Sequence, residues 1–261
     1  MFPISFAIGP FIVNAHGVMM ALGFIVGWFL VRYEARRKGL NREALEGLVP
    51  YAVVGGLIGA RLNYLLFSDL GHYLDNPWEV LTIWRGGIAL QGGLIGGLLV
   101  GIWYCWRYRL SFWQVADTFS PGLLLGQAIG RLGDLLVGGE YGTPTDLPWA
   151  ITFNDPRSQA PLGIPLHPTQ LYEMFWDLLV LGFIWRARRM SGYDGKVFLQ
   201  YAFLYSLGRF VIEYFRGDRL AFMLLDREIS SAMTISIVVM ALSLYLRWMM
   251  RRERQRADGR G

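Results

Sequence analysis

The chain has 261 residues, 54% of them hydrophobic and only 17% charged, with a mean hydropathy of +0.34. That is more apolar sequence than a soluble domain hides, and it predicts an all-α polytopic membrane protein forming one integral domain over 1–261. The pI near 9.4 does not signal nucleic-acid binding, because the basic residues gather where apolar segments end.

Residues 1–13 carry no positive side chain ahead of their apolar residues, so this is not a standard signal peptide. The first spanning helix is expected to act as an uncleaved insertion signal. The hydropathy pattern predicts seven spans at 15–31, 49–67, 88–106, 119–137, 169–185, 197–215 and 229–248. Each is close to the roughly 20 residues that cross a bilayer. Gly55 and Gly59 stand four apart, as do Gly92 and Gly96, Gly93 and Gly97, and Gly97 and Gly101. Small residues at that spacing let helices approach closely in lipid, so spans two and three are expected to pack tightly. The single Cys105 leaves no disulfide framework within the chain and is read as passive packing.

Polar groups interrupt span four, which exits through a segment, 138–168, rich in Pro, Gly, Asp and Thr. Within it Trp149, Ile151 and Phe153 alternate with Ala150 and Thr152, which hints at a short strand. A loop this long is more often functional than idle. Span five opens with His167-Pro168-Thr169-Gln170-Leu171-Tyr172-Glu173, where Thr169 suits an N-cap and Glu173 calls for a buried arginine. His72 reads as a solvated loop residue. After span seven, the basic tail 250–261 is expected to be disordered and to lie near anionic lipid heads.

The charges orient this set. Arg32, Arg36, Arg37, Lys38, Arg42, Arg107, Arg109, Arg186, Arg188, Arg189 and Lys196 fall in one group of loops, with the tail arginines from Arg247 to Arg260. The opposite loops hold only Arg85, Arg157, Arg219 and Arg227. The positive-inside rule places the N-terminus outside, the C-terminus in the cytoplasm and the 138–168 loop on the extracytoplasmic face.

Four arginines then lie within or at the ends of apolar stretches: Arg61, Arg131, Arg209 and Arg216. Each costs about 2.5–3.5 kcal/mol near the bilayer centre, so a cavity and an anionic partner are expected. Tyr205, Arg209, Glu213 and Arg216 fall within a helical sector of about 80°. Two readings stand: an ion network that only holds the fold, or a site whose surplus of arginine over glutamate binds an anionic ligand. Gly130-Arg131-Leu132-Gly133-Asp134, followed by Glu140-Tyr141-Gly142, offers a second such element. There Arg131 suits bidentate phosphate binding, while Asp134 and Glu140 suit orientation or proton transfer. Pairing of Arg131 with Asp134 is the alternative. Near span openings, Gln91 is a neutral amide that cannot act as a base, and His16 is a titratable imidazole.

The segments 86–96, 130–142, 167–173 and 205–216, in this order on a seven-span chain, resemble the prolipoprotein diacylglyceryl transferase family of bacterial inner membranes. The resemblance implies transfer of the diacylglyceryl group of phosphatidylglycerol to a lipobox cysteine thiol of a secreted preprotein. A thioether forms and glycerol 1-phosphate leaves. It implies catalytic positions at Arg131, Arg209, Glu140, Tyr205, Gln91 and His16. Arg131, Asp134, Gly142, Glu213, Arg216 and Arg61 are the expected head-group contacts. The partners implied are phosphatidylglycerol, lipobox signal peptides and membrane lipids, with no nucleic acid.

Three departures from the family pattern matter: Gln91 stands where histidine is common, Asp134 where asparagine is common, and His16 where tyrosine is frequent. Either the arginines favour thiolate without a base, or His16 or Asp134 removes the proton. Two other functions compete: an anionic-lipid transporter, for which no internal repeat is visible, and a non-catalytic lipid- or lipoprotein-binding relative. No residue cluster has metal-ligand spacing, and no cofactor is expected.

Overall fold

Apolar runs dominate the chain, and they fold as α-helices because a helix satisfies every backbone group internally. The structure, a computed structural model, describes residues 5–8, 11–67, 73, 75–82, 87, 89–189, 192–219, 221–224 and 227–257. The α-helices are α1 (Ala15–Lys38), α2 (Arg42–Phe67), α3 (Leu90–Arg107) and α4 (Phe112–Val137). They continue as α5 (Thr169–Ala187), α6 (Lys196–Ile212) and α7 (Ser231–Ala257). Three antiparallel ribbons accompany them: β1 (Ser5–Ile8) with β2 (Phe11–Asn14), β3 (Ile151–Thr152) with β4 (Pro165–Leu166), and β5 (Ala221–Leu224) with β6 (Arg227–Ser230). Among the described residues, α1, α2 and α7 are long and apolar enough to cross a membrane. The α6 helix is shorter, at 17 residues, and α5 carries Glu173, Asp177 and Arg186. Large apolar side chains such as Phe24, Leu179 and Val238 are exposed on the helices, as a lipid-facing surface requires.

The chain divides into two units, residues 35–115 and residues 1–34 with 116–261. In the first, α2 packs along α3, as the glycine spacing predicts. A Cβ at Gly59 would stand 2.9 Å from Gly96 Cα, and one at Gly55 would stand 3.2 Å from the Gly96 carbonyl oxygen. Gly101 is off this seam, because a Cβ there meets nothing. Arg61 is buried on α2 and donates to the carbonyls of Val80 (2.9 Å), Gly87 (2.8 Å) and Glu79. Its guanidinium holds down the segment that follows α2. Gln91 lies exposed in the first turn of α3.

In the second unit, α1 and α4 have a seam of the same kind that the sequence reading missed. A Cβ at Gly23 would come 2.7 Å from the Gly126 carbonyl oxygen, and one at Gly27 would come 2.6 Å from that of Gly122. Gly133 belongs to this contact too, since its Cβ would lie 2.9 Å from Met19 Cβ. Gly133 therefore serves the packing of α1 on α4. Leu124, Val180, Ile184 and Val197 form one apolar cluster, joining α4, α5 and α6. Leu135, Phe153, Ala160 and Leu166 form another, which roots the 138–168 segment on α4. Asp117 caps α6, accepting from the backbone N–H groups of Gly195 (2.9 Å) and Phe198 (2.7 Å).

Several boundaries differ from the hydropathy spans for local reasons. The expected strand at 149–153 is present as β3, continued by a bridge from Phe153 to Leu162. Arg251–Ala257 extends α7 as a helix, so this part of the tail is not disordered; 258–261 lie outside the described residues. Arg188 is not a free loop charge, for it is buried against Glu34 of α1 and stacks over the Trp185 ring. His72, Arg85, Gly86 and Ile88 lie outside the described residues.

The two glycines of α2 and α3 make opposite predictions. Gly59→Ala should lower the thermal midpoint in detergent by an amount equivalent to about 1–3 kcal/mol, through overpacking against Gly96. Gly101→Ala should leave the midpoint unchanged or raise it slightly.

Candidate active site

Helix α4 stops at Val137 because Gly138 takes a left-handed backbone (φ 73°). The Gly139 N–H then bonds to the Asp134 carbonyl at 2.9 Å, and that of Gly138 to Leu135 at 3.3 Å, in a Schellman-type ending. The turn continues into Glu140, itself left-handed at φ 52°, a conformation uncommon for a side-chain-bearing residue. Two residues of α5 fasten this turn: Thr169 Oγ1 donates to the Glu140 carbonyl and Gln170 Nε2 to the Gly139 carbonyl, both at 2.6 Å. Thr169 is therefore not the N-cap expected. Pro168 occupies that position, and no side-chain cap bond is made. Gly142 bridges to Arg216, and a Cβ there would lie 2.9 Å from the Phe215 carbonyl oxygen. The lack of a side chain at Gly142 is what permits this close approach.

The polar stripe of span six does not stay on one helix. Helix α6 ends at Ile212, Glu213–Phe215 form a 3-10 turn, and Arg216 is extended (φ −78°, ψ 136°). The side chains converge all the same. Glu173 of α5 lies at the centre: its Oε1 accepts from Arg209 at 2.8 Å and from Arg216 at 3.4 Å, and its Oε2 pairs with Arg131. Glu140 Oε2 pairs with Arg131 and, at 2.5 Å, with Arg216. Arg209 reaches Glu213 Oε2 at 3.2 Å, and Ser230 donates to Glu213 Oε1 at 2.5 Å. Asp218 grips Arg216 in a fork of 3.0 and 2.9 Å. Asp134 lies 3.2 Å from Arg131 and 3.0 Å from His16 Nδ1.

The structure thus brings together Arg131, Asp134, His16, Glu140, Glu213, Arg209 and Arg216, with Gly142 forming the backbone beside them. Arg61 and Gln91 belong to the other unit. The expected surplus of positive charge is absent. Among the described residues the three guanidiniums face five carboxylates: Asp134, Glu140, Glu173, Glu213 and Asp218. Glu173 was expected only to pair with an arginine; it engages all three. Asp218 was missed, although its position two residues past Arg216 is readable in the sequence. Tyr205 lines a small cavity with Glu173, Trp176, Asp177, Gly208, Arg209 and Ile212. Its free volume of about 10 Å³ is room for about one water.

Beside this cluster His167 Nδ1 lies 3.1 Å from the Tyr172 hydroxyl, which accepts from Trp149 Nε1 at 2.8 Å. The histidine thus helps set the α5 entrance. Among the described residues no group of His, Cys, Asp and Glu is arranged to hold a metal ion.

Burial pushes the Glu140 carboxyl up, but Arg131 and Arg216 outweigh it and hold the group at about 2. A depressed pKa contributes stability that is present above the unfolded value and lost as pH falls through the folded one. The thermal-midpoint gap between the wild type and Glu140→Gln should therefore be constant from pH 8 to about 5 and shrink between about 4.5 and 2. A gap that widens on acidification would contradict this pairing.

The sequence compares closely with known proteins. The family model for prolipoprotein diacylglyceryl transferase matches residues 3–249. A phosphatidylglycerol–prolipoprotein diacylglyceryl transferase of Trichormus variabilis is 35% identical, over 98% of this chain and 92% of the relative. One of Bacillus velezensis is 35% identical over 99% and 95% of the two chains, and one of Thermotoga maritima 38% over 91% and 80%. With likeness running through nearly all of both partners, the chain belongs to the prolipoprotein diacylglyceryl transferase family.

Proposed function

We propose that the protein transfers the diacylglyceryl group of phosphatidylglycerol to the lipobox cysteine thiol of prolipoproteins, releasing glycerol 1-phosphate. The observation that carries this reading is the convergence of Arg131, Arg209 and Arg216 on Glu173 among apolar helices, in a chain of this family. Seven helices of spanning or near-spanning length support a seven-span chain in a bacterial inner membrane. The N-terminus is outside, the C-terminus cytoplasmic and the 138–168 segment extracytoplasmic. The whole chain acts as one membrane domain.

In this reading the cysteine sulfur attacks the diacylglyceryl carbon that bears the phosphate ester. The carbon–oxygen bond breaks, and its electron pair stays on the departing phosphate. Arg131 and Arg209 stabilise the charge that grows there, through preorganised donors in a site with little water. Arg216 and Glu213 position the head group, and Tyr205 lines the small cavity beside Glu173 and Arg209. Because the arginines are already paired, the lipid phosphate has to replace a carboxylate. Glu140 is the one to yield, as its side chain is the most exposed of the Arg131 partners at 34%. No nucleophilic cysteine is needed from the chain itself, since the thiol arrives with the peptide. Buried Cys105 is packing.

The test is a transfer assay on purified protein in detergent, with phosphatidylglycerol and a lipobox peptide. Arg209→Ala should lose transfer altogether, while Gln91→Ala should only slow it. Turnover like the wild type by the Arg209 variant would overturn the assignment of that residue.

A further inference from the structure

Glu173 and Asp177 stand one turn apart on α5 and line the same cavity, with Tyr205 and Arg209 of α6 opposite them. Their surroundings differ. Glu173 is taken up by three arginines. Asp177 is only 2% exposed, yet its Oδ2 has no hydrogen-bond partner among the described residues. The groups that act on it are Glu173 on its own helix, Arg131 on α4, and Tyr201 and Tyr205 on α6. Leaving a buried acceptor unsatisfied costs about 1–3 kcal/mol, and an acid kept so within a membrane helix calls for a functional explanation.

The other carboxylates named as candidate proton acceptors are paired. Asp134 has one oxygen 3.2 Å from Arg131 and the other 3.0 Å from His16. Glu140 and Glu213 are held by arginines, Glu213 by Ser230 as well. Gln91 carries an amide, which does not take up a proton near neutral pH. We propose that Asp177 is the proton acceptor for the cysteine thiol, a role that rests on the transferase reading above. The S–H proton passes to Asp177 Oδ2 as the sulfur pair forms the carbon–sulfur bond. The carbon–oxygen bond to phosphate breaks, and Asp177 then gives the proton to the departing glycerol phosphate. Atoms and charge balance without a cofactor.

The experiment compares a cysteine peptide with its selenocysteine counterpart, whose selenol is ionised at neutral pH and needs no base. With the cysteine peptide, Asp177→Asn should lower kcat/KM by about 100-fold. With the selenocysteine peptide the same variant should stay within about threefold of the wild type. Asp177→Glu, which keeps a carboxylate, should recover most of the cysteine reaction. Equal losses on both peptides, or no loss on cysteine, would overturn the role of Asp177. Loss on both peptides in both variants would do the same, marking Asp177 as structural. A wild-type protein that modifies neither peptide would overturn the transferase reading itself, and this proposal with it.

Discussion

Three guanidiniums held around one buried carboxylate are the constraint on which the rest of this structure depends. Glu173 is 5% exposed and meets Arg131, Arg209 and Arg216 from three different chain segments. Removing one partner from such a buried set leaves an uncompensated charge, a loss of about 3–5 kcal/mol. The surrounding architecture keeps the set assembled. Along α4, Arg131 falls between Leu124 and Leu135; along α5, Glu173 falls between Leu171 and Val180. Apolar packing therefore brackets the charges on both sides. The left-handed turn at Glu140, pinned by Thr169 and Gln170, delivers the remaining bridging carboxylate.

The same arrangement links stability to chemistry. Carboxylates hold the arginines at fixed positions before any substrate arrives, so little reorganisation remains when a phosphate replaces one of them. In the proposed reaction the exchange is of like for like: one bridging anion leaves and another enters. Glu173 and Glu213 are the more deeply buried partners and would stay to keep the guanidiniums aimed, while Glu140, at the edge, would be exchanged. On that proposal a site for an anionic lipid contains more acids than bases because the acids hold the guanidiniums in place before the lipid arrives.

Much of the fold was legible in the sequence because hydropathy and helical length are local properties. The helices fall close to the expected spans, and the Gly55–Gly59 and Gly92–Gly96 spacing located a real seam. The matching Gly23–Gly27 and Gly122–Gly126 pairs were equally readable and were passed over. What could not be read was pairing across the chain. Arg61 looked like Arg131 in its hydropathy context, yet backbone carbonyls satisfy the first and carboxylates the second. The apparent excess of arginine came from counting span six alone, whereas the balancing acids come from α4, α5 and the turn after α6. Arg188 read as a topology charge because Glu34, its partner, lies far away in sequence. Asp177 drew no attention because a lone acid in an apolar run shows its significance only through what fails to contact it.

On the proposed function, the lipid phosphate is received by the Glu173-centred arginines. The most direct test is a phosphatidylglycerol analogue with a photoreactive group on the head-group glycerol, crosslinked to the purified protein and mapped by mass spectrometry. Adducts are expected within 131–142, 173–177 and 209–218, suppressed by excess unlabelled phosphatidylglycerol. Competable adducts confined to other segments would contradict it.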